Sequence, residues 1–291
     1  RLTFGAIQSK LVVLKNSYYL RYKQLMKLHT LFILVIYFIH WNIGFSHQDS
    51  VPPTETMTIS SKILGENRVI NIWFPENSQT EYLPVIFMLD GGVHEDFTHV
   101  ASTISRLIES KQIRPHILVG IENTQRRRDL TGSTTVKRDK AIAPEVGGSA
   151  LFRSFIQEEL FPAIEKRFGP APQKTILGES LAGLFVVETF LFTPELFDNY
   201  IAFDPSMWWN KGYLANNASD FISKFNDQPK KIWFASSNTK SISSFTNQLS
   251  KTLDKASKTA IKWNYSFEPK EQHSTIFRAM KEKAFIWTLS N

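Results

Sequence analysis

The stretch Lys174-Thr175-Ile176-Leu177-Gly178-Glu179-Ser180-Leu181-Ala182-Gly183, continued by Leu184–Phe192, decides how this chain folds. Its first four residues read as a short buried strand, and Leu184–Phe192 reads as a helix. A serine squeezed between a strand end and a helix start is forced into a strained backbone conformation. That is tolerable only if the residues two before and two after it carry little or no side chain. Gly178 and Ala182 meet the condition, giving Gly-x-Ser-x-Ala rather than the commoner Gly-x-Ser-x-Gly. The helix N-terminus turns its free N–H groups and positive dipole end toward the serine. Ser180 is therefore the candidate nucleophile.

Outward from this turn, strand-like and helix-like patterns alternate. Thr56–Ile63 and Arg68–Phe74, separated by Gly65-Glu66-Asn67, predict an N-terminal antiparallel hairpin. Val85–Leu89 and His116–Ile121 are uninterrupted apolar runs, as strands buried on both faces require. Val100–Ser110 predicts a helix. Phe152, Ile156, Leu160, Ile164 and Phe168 recur every four residues as another helix face, which Pro162 must bend or break. Strands over Tyr200–Phe203, Lys231–Ala235 and Ile261–Phe267 follow, with helices near Ser243–Ala256 and Ile276–Leu289. The alternation predicts an α/β fold with a mainly parallel central sheet and helices on both faces. Sites in such sheets form at the carboxyl ends of the strands. Glu122–Gly148 shows no period, which marks it as a functional loop or lid.

The first 46 residues stand apart, with six basic residues and no acidic one. Removing them from 34 Lys+Arg and 27 Asp+Glu leaves 28 against 27, so the high net charge belongs to the leader. Nothing in the remainder suggests nucleic-acid binding. Within the leader, Met26-Lys27, the apolar run Leu31–Ile39 and the small residues Gly44 and Ser46 predict a signal peptide that starts at Met26 and is cleaved near Ser46. An exported, periplasmic or secreted bacterial protein is then expected. The competing reading is an uncleaved anchor, the one route to a membrane. Residues 47–55 read as a polar linker and 56–291 as one catalytic domain. There is no cysteine, which removes disulfides and thiolate metal sites.

A serine hydroxyl needs a base to take its proton. Of the five histidines past the leader, only His273 lies in a loop directly after the last strand. The oxyanion that forms on attack needs two backbone donors. Leu181 N–H, next after the serine, is one, and Gly92 N–H in the turn Asp90-Gly91-Gly92 is the other. The loop after Lys231–Ala235, Ser236-Ser237-Asn238-Thr239-Lys240, holds no carboxylate to orient the histidine. Asp204, one strand earlier, is either that acid or a turn aspartate before Pro205; a Ser–His dyad oriented by a carbonyl or by Glu271 is the alternative. Arg126-Arg127-Arg128 reads as an anchor for an anionic or catechol-type substrate or as a solvated charge run. Trp208-Trp209 reads as an aromatic wall of the pocket or as core. His94 and His99 are five residues apart, which misses the spacing of four that puts two metal ligands on one helix face. No metal is expected.

Taken together, Leu89-Asp90-Gly91-Gly92, Val119–Thr124, Arg128-Asp129-Leu130, Gly178–Phe185 and Pro205-Ser206-Met207-Trp208-Trp209 resemble the putative-esterase group of α/β-hydrolases. That group is similar to esterase D and includes siderophore (enterobactin-type) esterases. The resemblance runs from about Thr56 to the C-terminus. It implies the α/β-hydrolase fold and a serine esterase with Ser180 as nucleophile and His273 as base. It further implies Gly92 and Leu181 as oxyanion donors, a pocket near Arg128, Trp208 and Trp209, and no cofactor. Two residues depart from the family pattern. Glu179 stands where His is usual, and Ala182 where Gly is usual. A carboxylate beside the nucleophile alters the charge of the pocket.

The expectation is a carboxylic ester hydrolase acting on a small-molecule ester, siderophore-like or a general acyl ester. A non-catalytic binding protein of the same fold and an acyltransferase of the esterase D type are the competing functions.

Overall fold

The computed structural model describes residues 54–75 and 82–290. The expected leader, its start at Met26 and its cleavage near Ser46 lie outside these residues, as does most of the 47–55 linker. Eight strands form one sheet: β1 (Glu55–Ser61), β2 (Glu66–Trp73), β3 (Val85–Leu89), β4 (Ile117–Ile121), β5 (Lys174–Glu179), β6 (Asn199–Phe203), β7 (Lys230–Ser236) and β8 (Ile261–Phe267), in the order β1-β2-β4-β3-β5-β6-β7-β8. β1 pairs with β2 and β2 with β4 antiparallel, and every other pairing is parallel. The N-terminal hairpin is thus the antiparallel flank of a parallel sheet.

Along each central strand, side chains alternate between two cores. Phe87, Ile176, Tyr200 and Phe234 point to one face. They pack there against α4 (Ser149–Phe155), α5 (Phe161–Phe168), α6 (Leu181–Phe192), α7 (Trp209–Ser223) and α8 (Lys240–Ala256). Ile86, Met88, Leu177, Phe203 and Trp233 point to the other, covered by α1 (Phe97–Glu109) and α9 (Ile276–Leu289). Burial on both faces is why these strands read as continuous apolar runs rather than alternating ones. α6 is buried over almost its whole length, Leu181–Leu191, and so carries no polar stripe. Its one charge, Glu188, is paired with Arg153 at 2.7 Å and also accepts from Ser149 Oγ.

The helix face recurring every four residues is not one regular helix. A spacing of four drifts by about 40° per step around an α-helix. The drift is absorbed by a π-helical turn, Ile156–Leu160, between α4 and α5. Pro162 then falls in the first turn of α5, where its missing N–H costs no hydrogen bond. Glu122–Gly148 is also more ordered than its lack of period suggests. It carries two helical turns, α2 (Arg126–Asp129) and α3 (Lys137–Lys140), and buries Asp129, Thr131 and Asp139. Asp139 Oδ2 accepts from Thr134 Oγ1 at 2.9 Å and from Asn210 N at 2.8 Å, tying the segment to the start of α7.

Candidate active site

The site begins at the C-terminal tip of β5. Ser180 has φ 60° and ψ −117°, the strained turn that the small neighbours predict. A Cβ on Gly178 would lie 2.7 Å from Ala182 Cβ and 2.6 Å from Ala182 C, so only one of these two positions has room for a methyl group. The turn is pinned from β6 and beyond it. Ser180 N donates to Phe203 O at 3.0 Å, and Ser206 N donates to Ser180 O at 3.0 Å.

Asp204 follows β6 with φ 43°, a left-handed turn that aspartate tolerates better than most residues. The turn aims a fully buried carboxylate across the tip of β7. Oδ1 accepts Ser237 N–H at 2.7 Å, and Oδ2 accepts Ser237 Oγ–H at 2.8 Å. Oδ2 also lies 2.6 Å from His273 Nδ1. On its other side, His273 Nε2 lies 3.0 Å from Ser180 Oγ. Since a carboxylate only accepts, the imidazole proton belongs on Nδ1 and the Nε2 lone pair faces the serine. The loop that carries His273 is fastened to β7, with Glu268 N donating to Ser236 O at 2.8 Å and Asn238 N to Glu271 O at 3.1 Å. The hydrogen bond to Asp204 raises the His273 pKa above its usual 6.5, against an opposing effect of burial.

The other expected site residues fall out differently. Leu181 is the first residue of α6, so its N–H has no carbonyl one turn back to bond and points out of the helix end. Gly92 N–H, by contrast, is already engaged, donating to Glu95 Oε2 at 2.7 Å, while Glu95 Oε1 accepts from Asn123 Nδ2 at 2.6 Å. The expected second oxyanion donor is thus occupied by a side chain from its own loop. Its loop closes on itself because Glu95 follows three residues later with its N–H on Gly92 O.

Arg128, expected near the pocket, is taken up by ion pairs. It bonds Glu66 at 2.7 Å and Asp129 at 2.7 Å, next to the buried Arg68–Asp129 pair at 2.6 Å. Three consecutive residues on a helical turn diverge by about 100° each, so adjacent guanidiniums cannot act as one anchor. Arg127 donates to Ile142 O. Arg126 alone turns to the site, gripping Asp90 through Nε and Nη2, both at 2.7 Å, and reaching Glu179 O at 3.5 Å. Trp209 is core, 4% exposed, with Nε1 donating to Gly132 O at 2.9 Å; it lines a cavity of about 410 Å³ with Arg153, Glu188 and Tyr213, a cavity that Ser180 and His273 do not line. Trp208 is only partly buried and packs against it, with ring centroids 6.1 Å apart.

Two further serines touch Ser180 and Asp204, neither of them assigned a role from the sequence. Ser206 Oγ lies 3.4 Å from Ser180 Oγ, and Ser237 cradles Asp204. Among the described residues, no three His, Asp or Glu side chains gather as a metal site, and no helix is long and apolar enough to cross a membrane.

The family model described as "Putative esterase" matches residues 61–288. The chain is 34% identical over 213 residues to the ferri-bacillibactin esterase BesA of Bacillus subtilis, covering 67% of this chain and 73% of that protein. It is 30% identical over 175 residues to the siderophore triacetylfusarinine C esterase of Aspergillus fumigatus, covering 54% and 58%. In structure it is similar to the BES protein from Bacillus cereus, with a TM-score of 0.73 and 25% identity over 82% of this chain and 96% of that one. A strained serine at a strand tip within a sheet of this order, together with a family match over most of the chain, makes this protein a member of the Putative esterase family of α/β-hydrolases and a carboxylic ester hydrolase.

Proposed function

We propose that Ser180 attacks the ester carbonyl, that His273 carries the proton, and that Asp204 orients the imidazole. The observation that carries this is one unbroken line of contacts: Ser180 Oγ to His273 Nε2 at 3.0 Å, and His273 Nδ1 to Asp204 Oδ2 at 2.6 Å. As Oγ bonds to the carbonyl carbon, its proton passes to Nε2, and the buried carboxylate stabilises the imidazolium that results. The tetrahedral oxyanion is held by Leu181 N–H at the positive end of α6. Gly92 N–H joins it when the oxyanion displaces the exposed Glu95 carboxylate. Collapse expels the alcohol, which takes the proton from His273. Water then repeats the sequence on the acyl-enzyme and regenerates Ser180.

For substrate, we propose a small-molecule siderophore-type ester. The support is that BesA and the Aspergillus protein are both named for siderophore ester cleavage. The test is twofold. Ser180 in the wild type should react with a fluorophosphonate probe, and Ser180→Ala should abolish hydrolysis of both a siderophore lactone and a short p-nitrophenyl ester. Activity that survives Ser180→Ala at the wild-type rate removes Ser180 from the reaction. A wild type that cleaves the p-nitrophenyl ester but no siderophore lactone removes the substrate assignment alone.

A further inference from the structure

The residue immediately before the nucleophile is a carboxylate that the chemistry above does not use. Glu179 ends β5 in register with Phe203 of β6. Residues in register share a face of the sheet. Phe203 lies in the core beneath α1 and α9, as does Leu177, two residues before Glu179. Glu179 therefore projects to the α1/α9 side at the strand tips, the side that also carries Asp96 at the start of α1 and His273 just before α9. It is partly buried there.

The charged groups around it are otherwise provided for. Asp90 is neutralised by Arg126 and Asp96 by Arg278, at 2.7 and 2.6 Å. Asp204 is held by Ser237 and His273, and Glu95 by the Gly92 N–H and Asn123. Among the described residues, the Glu179 carboxyl has neither a hydrogen bond nor an ion pair. An unpaired, half-desolvated carboxylate is a costly thing to keep in a cleft, and its field falls on whatever occupies the space beside Ser180.

We propose that Glu179 sets the charge selectivity of the reaction, disfavouring esters whose acyl part is anionic and favouring neutral or cationic ones. This rests on Ser180 being the nucleophile. It narrows the siderophore-type substrate to a form without net negative charge near the scissile bond. Burial, helped by Asp96, Asp90 and Asp204 and opposed by His273, pushes the Glu179 pKa up to about 7. The selectivity is therefore weak below neutrality, where the carboxyl is protonated, and grows as the pH rises through about 7.

The experiment compares kcat/KM for p-nitrophenyl butyrate with that for the mono-p-nitrophenyl ester of succinate, whose free carboxylate stays ionised from about pH 6 to about pH 9. Taking the ratio cancels the protonation of His273, which both substrates need equally. In the wild type the neutral-to-anionic preference should rise by roughly fivefold to tenfold across that range, the scale of one charge pair in a partly screened cleft. In Glu179→Gln the ratio should be low and flat with pH, and in Glu179→Lys it should invert. Fluorophosphonate labelling of Ser180 shows that each variant is folded and competent. If the wild-type ratio does not change with pH, or if Glu179→Gln leaves it as it was, the assignment is wrong. If the wild type cleaves neither ester, it is the assignment of Ser180 that fails.

Discussion

Asp204 and His273 are 69 residues apart in the chain, yet Oδ2 of the first lies 2.6 Å from Nδ1 of the second. The aspartate is fully buried, whereas the histidine side chain is 43% exposed. The rigid partner thus sits inside the fold, and the partner proposed to carry the proton sits at the rim. Asp204→Asn keeps the shape but offers an N–H2 group where a lone pair is needed, which favours the wrong imidazole tautomer. The expected loss in kcat is about 10³- to 10⁴-fold with little change in KM. A loss below about tenfold in steady-state kinetics shows that a Ser–His dyad suffices.

The same bond fixes the sign of the pH dependence. Attack needs neutral imidazole, and Asp204 raises the His273 pKa above 6.5. The rate kcat/KM should therefore fall as the pH drops, with a midpoint above 6.5. In Asp204→Asn the residual activity should hold to lower pH, because the imidazolium has lost its partner. A pH–rate profile of both enzymes on a neutral ester checks the direction; an acid limb that stays in place separates the carboxylate from the histidine's titration.

Arg126 and Arg128 should part company in mutagenesis. Arg128→Ala takes one of two cations from Glu66 and Asp129, leaving Arg68 on each and the buried Asp129 Oδ1 without its donor. It should cost about 1–3 kcal/mol of stability, seen in thermal unfolding, with KM for esters unchanged. Arg126→Ala frees Asp90 beside the site and should lower kcat/KM while leaving the unfolding temperature nearly in place. A raised KM in Arg128→Ala would restore it to the pocket.

The turn at Ser180 makes a packing prediction. Gly178→Ala drives a methyl group onto backbone atoms of Ala182 and should cost about 1–3 kcal/mol as well as activity. Ala182→Gly should leave activity within a few-fold of wild type. Removing the Ala182 methyl in the Gly178→Ala background should not rescue it, because Ala182 C and O stay 2.6 and 2.7 Å from the new Cβ. Recovery in that double variant would place the conflict in the side chain rather than the backbone.

Most of the fold was legible because burial writes itself into the residues. Val85–Leu89, Ile117–Ile121 and Ile261–Phe267 occur as strands within a residue of where their apolar runs stand. The π turn was not legible, since a spacing of four fits a bent helix as well as a re-phased one. At the site, Ser180 and His273 carry chemical type and chain order. Whether Asp204 reaches His273, however, turns on one left-handed φ angle. Arg126 and Arg128 differ only in their phase on a single helical turn. The fate of the Gly92 amide turns on where the Glu95 side chain folds back, which residue type and spacing alone do not record.

The grip of Ser237 on Asp204 has a consequence for how such a site can change. Ser237 Oγ stands 2.8 Å from the oxygen that serves His273, at the end of the neighbouring strand. Exchanging the two residues, Asp204→Ser with Ser237→Asp, relocates the negative charge by about one hydrogen-bond length. The anionic member of the relay thus has two adjacent addresses. An acid carried at residue 237 instead of residue 204 would start from the tip of the adjacent strand, one hydrogen bond from where the present carboxylate stands.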